Sequence, residues 1–370
     1  MKRVPVLIIS AIVFLLVLAA CDTDEGRTED LSLENIKIAF IHVGDTADIG
    51  YTYRQHRGTL DMMEYLGISN DQIMSFLNIT PGDDVDTSIS EAIEWGSDMI
   101  FGTSHAFGPY LLEAARNHPN VQFFHATGDL AVDANLPNFH NYFANISQAR
   151  YLSGIAAGLR TETNIIGFVA AHPYAEVITG YTAFYLGALS VNPNVTMYVM
   201  YTNEWNDPRR ERQAALALIE RGADVLGQHV DSTATQVAAE ENGIWSVGYN
   251  SDMRTVAPNA FLVSPMFDWS VYLTFAVRTF VDGGIVPVDF SGCLKDGMVL
   301  ISATNPTTIA PGTDEAIADA KAKIEDGWNV FTGPIYGNDG SRILADGEIW
   351  NEPLSAPSWS FIIQGITVIE

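Results

Sequence analysis

An α/β fold built from two doubly wound parallel-sheet lobes is what this sequence predicts, on three observations. From Ile36 onward, short apolar runs of β type alternate with helical patterns, as expected of parallel sheets covered by helices on both faces. The series occurs twice, over about 36–130 and about 163–250, with an Asn- and aromatic-rich stretch, Asn138–Arg150, as the boundary between them. The chain is also long enough for two packed cores, with 370 residues, 47% of them hydrophobic.

The first 21 residues are read as an export signal. Met1-Lys2-Arg3 supplies a positive start, and an apolar run from Val4 to Leu18 follows, too short and too soon followed by acidic residues for a transmembrane anchor. Leu18-Ala19-Ala20-Cys21 resembles a bacterial lipobox, in which small residues admit the signal peptidase and the Cys thiol takes a diacylglyceryl group. Residues 1–20 are thus expected to be the signal peptide, Cys21 the site of lipid attachment and 21–35 a polar tether, an ordinary signal cleaved near Ala20 being the alternative. The expected location is the outer side of the cell membrane, with the chain held there by its lipid.

Strands are predicted at Ile36–Val43, Ser75–Ile79, Asp98–Phe101, Val121–His125, Ile165–Ala170, Val195–Tyr201, Ala223–Gly227, Ile244–Gly248 and Phe261–Ser264. Helices are predicted at Thr87–Trp95, Tyr110–Asn117, Tyr181–Leu189, Arg209–Arg221 and Ser232–Asn242. Ser88 with Glu91 reads as a capping box, Pro208 as a helix start and Gly222 as a residue just past a helix end. The first lobe is assigned to 36–150 with a returning segment of about 255–290, and the second to 151–254 with about 291–370. Two such lobes in an exported, tethered chain imply a solute binder that closes on its ligand.

Composition excludes several classes. The formal net charge of −26, from 45 acidic and 19 basic residues, is wrong for a partner of DNA or RNA backbones. Two cysteines, Cys21 and Cys293, give no disulfide framework, and Cys293 reads as a small packing residue. Asp83-Asp84-Val85-Asp86 begins like a calcium loop but lacks the Gly that its turn needs, so no metal is expected. Neither a nucleophile elbow nor a P-loop nor a G-x-G-x-x-G run is present, and no catalysis or cofactor is assigned.

The candidate site centres on Asp45–Leu66, a polar loop after the first predicted strand that becomes a helix. In α/β proteins small ligands are held at such places. The loop offers carboxylates (Asp45, Asp48), a hydroxyl (Thr52) and aromatics (Tyr51, Tyr53), the parts needed to grip a flat polar molecule by edge and face. Asp48-Ile49-Gly50-Tyr51-Thr52-Tyr53, then Gly58, resembles the D-x-G-[WF]-x-x…G motif of the basic membrane protein family, substrate-binding lipoproteins of ABC transporters that include purine nucleoside receptors. Further blocks come in the family's order, among them Phe124-His125-Ala126-Thr127-Gly128, Arg150-Tyr151-Leu152-Ser153-Gly154 and Gly248-Tyr249-Asn250-Ser251-Asp252-Met253. The resemblance covers about 36–340 and implies a type I periplasmic-binding-protein fold, no catalysis, a membrane permease as partner and a monomer.

It also implies a site. Tyr51 falls where the family stacks an aromatic on its ligand, and Thr52 where nucleoside receptors carry an Asn that reads the base edge. Trp205 is the stacking partner expected from the second lobe. Asp252 falls where nucleoside binders hold the ribose hydroxyls, a turn cap being the alternative. Ser104, His105, Thr127 and Asp231 are candidate contacts at strand ends. The sequence departs from the nucleoside receptors twice. Ser264-Pro265-Met266-Phe267-Asp268-Trp269 has no Lys, Trp269 standing in its neighbourhood, and the Asp expected after Val121–Phe124 is missing. Both departures favour a free nucleobase such as adenine over a nucleoside. A ligand-sensing module for a signalling receptor and a sugar binder are the alternatives.

Overall fold

A computed structural model describes residues 30–47 and 49–369, with the folded unit starting at Ser32. The signal peptide, Cys21, most of the tether and Asp48 lie outside the described residues. The first half consists of β1 (Ile38–Ile41), α1 (Tyr51–Leu66), β2 (Ile73–Phe76), α2 (Asp83–Glu94), β3 (Met99–Gly102), α3 (Gly108–Asn117), β4 (Gln122–Ala126), α4 (Leu130–Ala134) and β5 (Phe139–Ala144). Helix α5 (Ser147–Arg160) leads into β6 (Ile165–Ala170), α6 (Ala175–Val191), β7 (Thr196–Tyr201), α7 (Pro208–Glu220), β8 (Val225–His229), α8 (Ala234–Glu241) and β9 (Trp245–Ser246). The chain then supplies β10 (Pro265–Phe267), α9 (Trp269–Val281), β11 (Asp289–Gly292), β12 (Val299–Ile301), α10 (Thr313–Glu325), β13 (Ile335–Tyr336), β14 (Arg342–Leu344) and β15 (Ile366–Ile369).

Eleven of these strands form two parallel sheets, ordered β11-β5-β4-β3-β1-β2 and β15-β7-β6-β8-β9, and β10 with β12 and β13 with β14 form two antiparallel pairs. Strands β1, β3 and β8 are buried at every residue, as strands covered on both faces must be. Strand order reverses between β1 and β3 in one sheet and between β6 and β8 in the other. Each reversal leaves a crevice beyond the carboxyl ends of the strands.

The stretch read as a boundary, Asn138–Arg150, is a six-residue strand and the start of a helix. Its polar residues resembled a loop because their partners lie far along the chain. His140 hydrogen-bonds the Pro287 carbonyl at 3.0 Å and Gln122 at 2.9 Å, and the Asn141 side-chain oxygen accepts from the Ala131 amide at 3.2 Å. The Ser88–Glu91 capping box does not form. Helix α2 starts at Asp83, and Ser88 lies inside it with its hydroxyl donating to the Asp84 carbonyl. Asp83, Asp84 and Asp86 occupy the first turn, where the helix dipole favours carboxylates. The strand expected at Phe261–Ser264 reduces to a bridge from Ser246 to Phe261, and pairing resumes at β10.

Helices α5 and α6 cross at backbone contact. A Cβ on Gly154 would sit 1.9 Å from the Phe184 carbonyl oxygen, and one on Gly187 would sit 1.9 Å from the Tyr151 carbonyl oxygen. No side chain fits at either position without moving a helix. Gly154→Val is therefore expected to destabilise by roughly 3 kcal/mol or more, read as a drop in thermal midpoint. An unchanged midpoint would show that the crossing is looser than described.

Candidate functional site

The loops that leave the two crevices enclose one cavity of about 600 Å³. From the first sheet come Val43 after β1, Thr103 to Ala106 after β3, and Thr127 and Asp129 after β4, with Tyr51 opening α1. From the second come Pro173 to Glu176 after β6, Trp205 after β7, His229 and Asp231 at the end of β8, and Tyr249 after β9. Ala356 and Pro357, near the C-terminus, complete the wall. The two halves touch beside it: a Cβ on Gly50 would lie 2.3 Å from the Asp231 carbonyl oxygen. Thr127 and Asn203 hold φ of +59° and +57°, a conformation that non-glycine residues adopt at some cost and that recurs where loops are shaped for a ligand.

Tyr51 is set from behind. Gln55, one turn along α1, donates to its hydroxyl at 3.0 Å, and the fully buried Trp269 meets its ring edge-on at 5.8 Å. Burial holds the Tyr51 phenol well above its ordinary pKa, so it remains a neutral donor and acceptor. Across the cavity, Trp205 packs against His172 at 5.2 Å and His229 at 6.1 Å, and its carbonyl accepts from the Asp231 amide at 2.8 Å. Aromatic side chains of both halves thus line the space.

A buried polar chain backs the second half. Glu176, in the first turn of α6, lies 3.5 Å from His229, whose Nε2 is 3.2 Å from the Tyr249 hydroxyl. The guanidinium of Arg150 lies 3.7 Å from the centre of the Tyr249 ring and donates to the Gln228 carbonyl at 2.7 Å. Arg150 is fully buried, and that burial pulls its pKa down to about 10, still charged at neutral pH. Burial also lowers the His229 pKa, against the pull of Glu176, and raises that of Tyr249. On the first side, the His105 Nδ1 donates to the Thr127 carbonyl at 3.2 Å, and the Nε2 of His125 behind it donates to the His105 carbonyl at 3.0 Å.

Burial depresses the His125 pKa to about 4 and that of His42 to about 3. Between those values and the ordinary 6.5 the unfolded chain binds more protons than the folded one. The stability these groups contribute is therefore complete above about pH 6.5 and falls as pH drops toward 4. Glu211, pushed up to about 7 by burial, acts with the opposite sign. The comparison is thus best made between variants: His125→Gln should lose less thermal midpoint between pH 6.5 and 4 than the parent chain. A parallel decline in both would contradict the assignment.

Of the residues expected from sequence, Tyr51, Ser104, His105, Thr127, Trp205 and Asp231 line the cavity. Thr52 does not, being buried inside α1, and Tyr53 points elsewhere on the same helix. Trp269 stands behind Tyr51 rather than in the space. Asp252 lies outside it, exposed, where its carboxylate accepts from the Arg254 amide at 3.0 Å and closes a turn. Asp48 falls outside the described residues. Sequence reasoning missed Glu176, Tyr174, Asp129, His229 and Tyr249, whose signal was position: each follows closely on, or ends, a strand of a parallel sheet.

Two parallel-sheet halves with one cavity at their crevices make the type I periplasmic-binding-protein fold. A solute-binding protein of an ABC transporter system from Conexibacter woesei has the same fold, with a TM-score of 0.66 over 79% of this chain and 97% of its own, at 18% identity. The family model described as ABC transporter substrate-binding protein, PnrA-like, matches residues 35–328, and the chain belongs to that family. A purine-binding protein of Brucella abortus (strain 2308) is 34% identical over 319 residues, 85% of this chain and 88% of its own. A Haloferax volcanii protein named for glucose binding in an ABC transporter is 30% identical over 313 residues, 84% of this chain and 78% of its own. Members of the family bind small solutes outside the cytoplasmic membrane and deliver them to a permease. Among the described residues no helix is long and apolar enough to cross a membrane.

Proposed function

We propose that this chain captures a purine base, of which adenine is the type, between its two halves and hands it to the permease of an ABC importer. The observation that carries the reading is the chemistry of the cavity wall. Aromatic rings line it from both halves, Tyr51 from one and Trp205 from the other, and Asp129, Glu176 and Asp231 add three carboxylates. No Arg, Lys, Asn or Gln occurs among the described lining residues. Such a wall suits a flat, neutral, N–H-rich ring: π-faces accept its faces and carboxylates accept from its amino and ring N–H groups. It opposes anions, since a phosphate would face three carboxylates in a water-poor space. The likeness to a purine-binding relative agrees with this.

A sugar is the second reading, because a relative is named for glucose binding. Each hydroxyl of a sugar both donates and accepts, and sites for sugars mix Asp with Arg and Asn for that reason. This wall offers carboxylates, rings and neutral hydroxyl and imidazole groups, but no Arg or Asn among its described lining residues. The two readings separate in one calorimetric panel of adenine, adenosine, AMP and D-glucose. Adenine is expected at micromolar affinity or tighter, about −8 kcal/mol, with AMP at least about 100-fold weaker. Glucose binding more tightly than adenine would overturn the reading. In the same assay Glu176→Gln is expected to weaken adenine by about tenfold, the value of a hydrogen bond to a charged acceptor. We also propose that the protein works as a monomer tethered through lipid at Cys21, so that Cys21→Ala should move it from the membrane fraction to the soluble one.

A further inference from the structure

The family match ends at residue 328, yet residues well beyond it reach the ligand cavity. After the β13–β14 hairpin the chain runs from Trp350 to Phe361 without regular structure and then enters the second sheet as β15. One end of this segment is anchored in the second half. Trp359 is fully buried among Phe331, Trp350 and Phe361, with ring centres 4.8 to 5.4 Å away, and its carbonyl accepts from the Thr179 hydroxyl of α6 at 3.4 Å. Contact with the first half is made by Ser355. Its amide donates to the Asp289 carboxylate on β11 at 2.9 Å, and its hydroxyl reaches the Gly128 carbonyl at 3.5 Å. Between the two anchors, Ala356 and Pro357 face the ligand space.

The geometry points to a specificity- and retention-determining strap: residues 352–359 wall one side of the ligand cavity and latch the second half to the first through Ser355 and Asp289. The anchors are unequal. The Trp359 end is held by a buried aromatic cluster and a sheet strand, whereas the Ser355 end is held by two hydrogen bonds. When the halves separate, the Ser355 contacts are the ones that break, and the strap leaves with the second half. A hydrogen bond of an amide to a carboxylate is charge-assisted, and one that must break before the cavity opens acts chiefly on the dissociation rate. Ala356 and Pro357 contribute bulk and no hydrogen-bonding side chain, so they limit how far a ligand substituent extends on that side. The strap requires that the cavity be the ligand site but not that the ligand be a purine.

The test uses the full chain with two variants, Asp289→Ala and Ala356→Trp, and two readouts. By stopped flow with adenine, Asp289→Ala is expected to raise the dissociation rate about tenfold with the association rate within about threefold. Ala356→Trp narrows the wall and is expected to weaken adenine binding about tenfold or more. The second readout needs no ligand: hydrogen exchange at the Ser355 amide should be at least about tenfold faster in Asp289→Ala than in the parent chain. Adenine failing to bind the parent chain removes the purine reading and leaves the exchange measurement to decide the strap. Unchanged Ser355 exchange in Asp289→Ala overturns the latch. Adenine affinity within twofold of the parent in Ala356→Trp overturns the wall.

Discussion

Gly50→Val is expected to lower affinity for adenine by at least about 100-fold while the thermal midpoint of ligand-free protein moves by only a few degrees. A side chain here has nowhere to go, because its Cβ would stand 2.3 Å from the Asp231 carbonyl oxygen and 3.0 Å from the Asp231 carbonyl carbon and Cα. Those are backbone atoms of the opposite half, and they cannot turn aside as a flexible side chain does. Relief comes from holding the halves apart, which admits water and withdraws Trp205 and Asp231 from Tyr51. Locally Gly50 only precedes α1, with no side-chain cap bond to lose, so the helix itself pays little. Affinity and stability therefore separate in this variant. Gly50→Ala, which carries the same Cβ, should fall in the same direction. Calorimetry with adenine checks both, and wild-type affinity in Gly50→Val would mean that the halves need not meet there.

Trp205→Ala is expected to cost adenine binding about 10- to 100-fold, the equivalent of roughly 1–3 kcal/mol for one aromatic face stacked on a base. Trp205 is half-buried on a loop, and its carbonyl, not its side chain, holds Asp231. Truncation should thus remove the stacking face while the loop keeps its backbone bond. Trp205→Phe should recover most of the loss because a smaller face remains. Asp252→Ala in the same titration is expected to stay within about twofold of the parent chain, since that carboxylate is tied into its own turn outside the cavity. A ranking in which Asp252→Ala weakens binding more than Trp205→Ala would return the site to the nucleoside pattern.

The fold was legible wherever burial on both faces left an unbroken apolar run. Ile165–Ala170 is a strand over the residues predicted, and the strands predicted at Ile36–Val43 and Asp98–Phe101 formed within a residue or two of place. It was illegible where partners lie far away in the chain. Phe139–Ala144 reads as polar because His140 and Asn141 find their hydrogen bonds at Pro287, Gln122 and Ala131. Helix α5 carries Gly154 and Gly158, which weaken its helical signal, because it needs residues without a side chain where it crosses α6 at backbone distance. Of the aromatic residues expected at the site, Tyr51 at the start of α1 and Trp205 in the loop after β7 line the cavity. Thr52 was carried over from the family pattern, but α1 turns it into its packed face. Glu176 is a single carboxylate in a helical first turn, where a dipole-complementing role is the ordinary expectation; only the arrangement of β6 and β8 makes it face the ligand space.

The gap between the halves is proposed to hold a flat, neutral, nitrogen-rich ring. Native mass spectrometry of protein purified without unfolding tests it directly, by reading the mass of whatever small molecule the closed form retains. The expected added mass is that of a purine base, lost in Gly50→Val. An added mass equal to that of a hexose would contradict it.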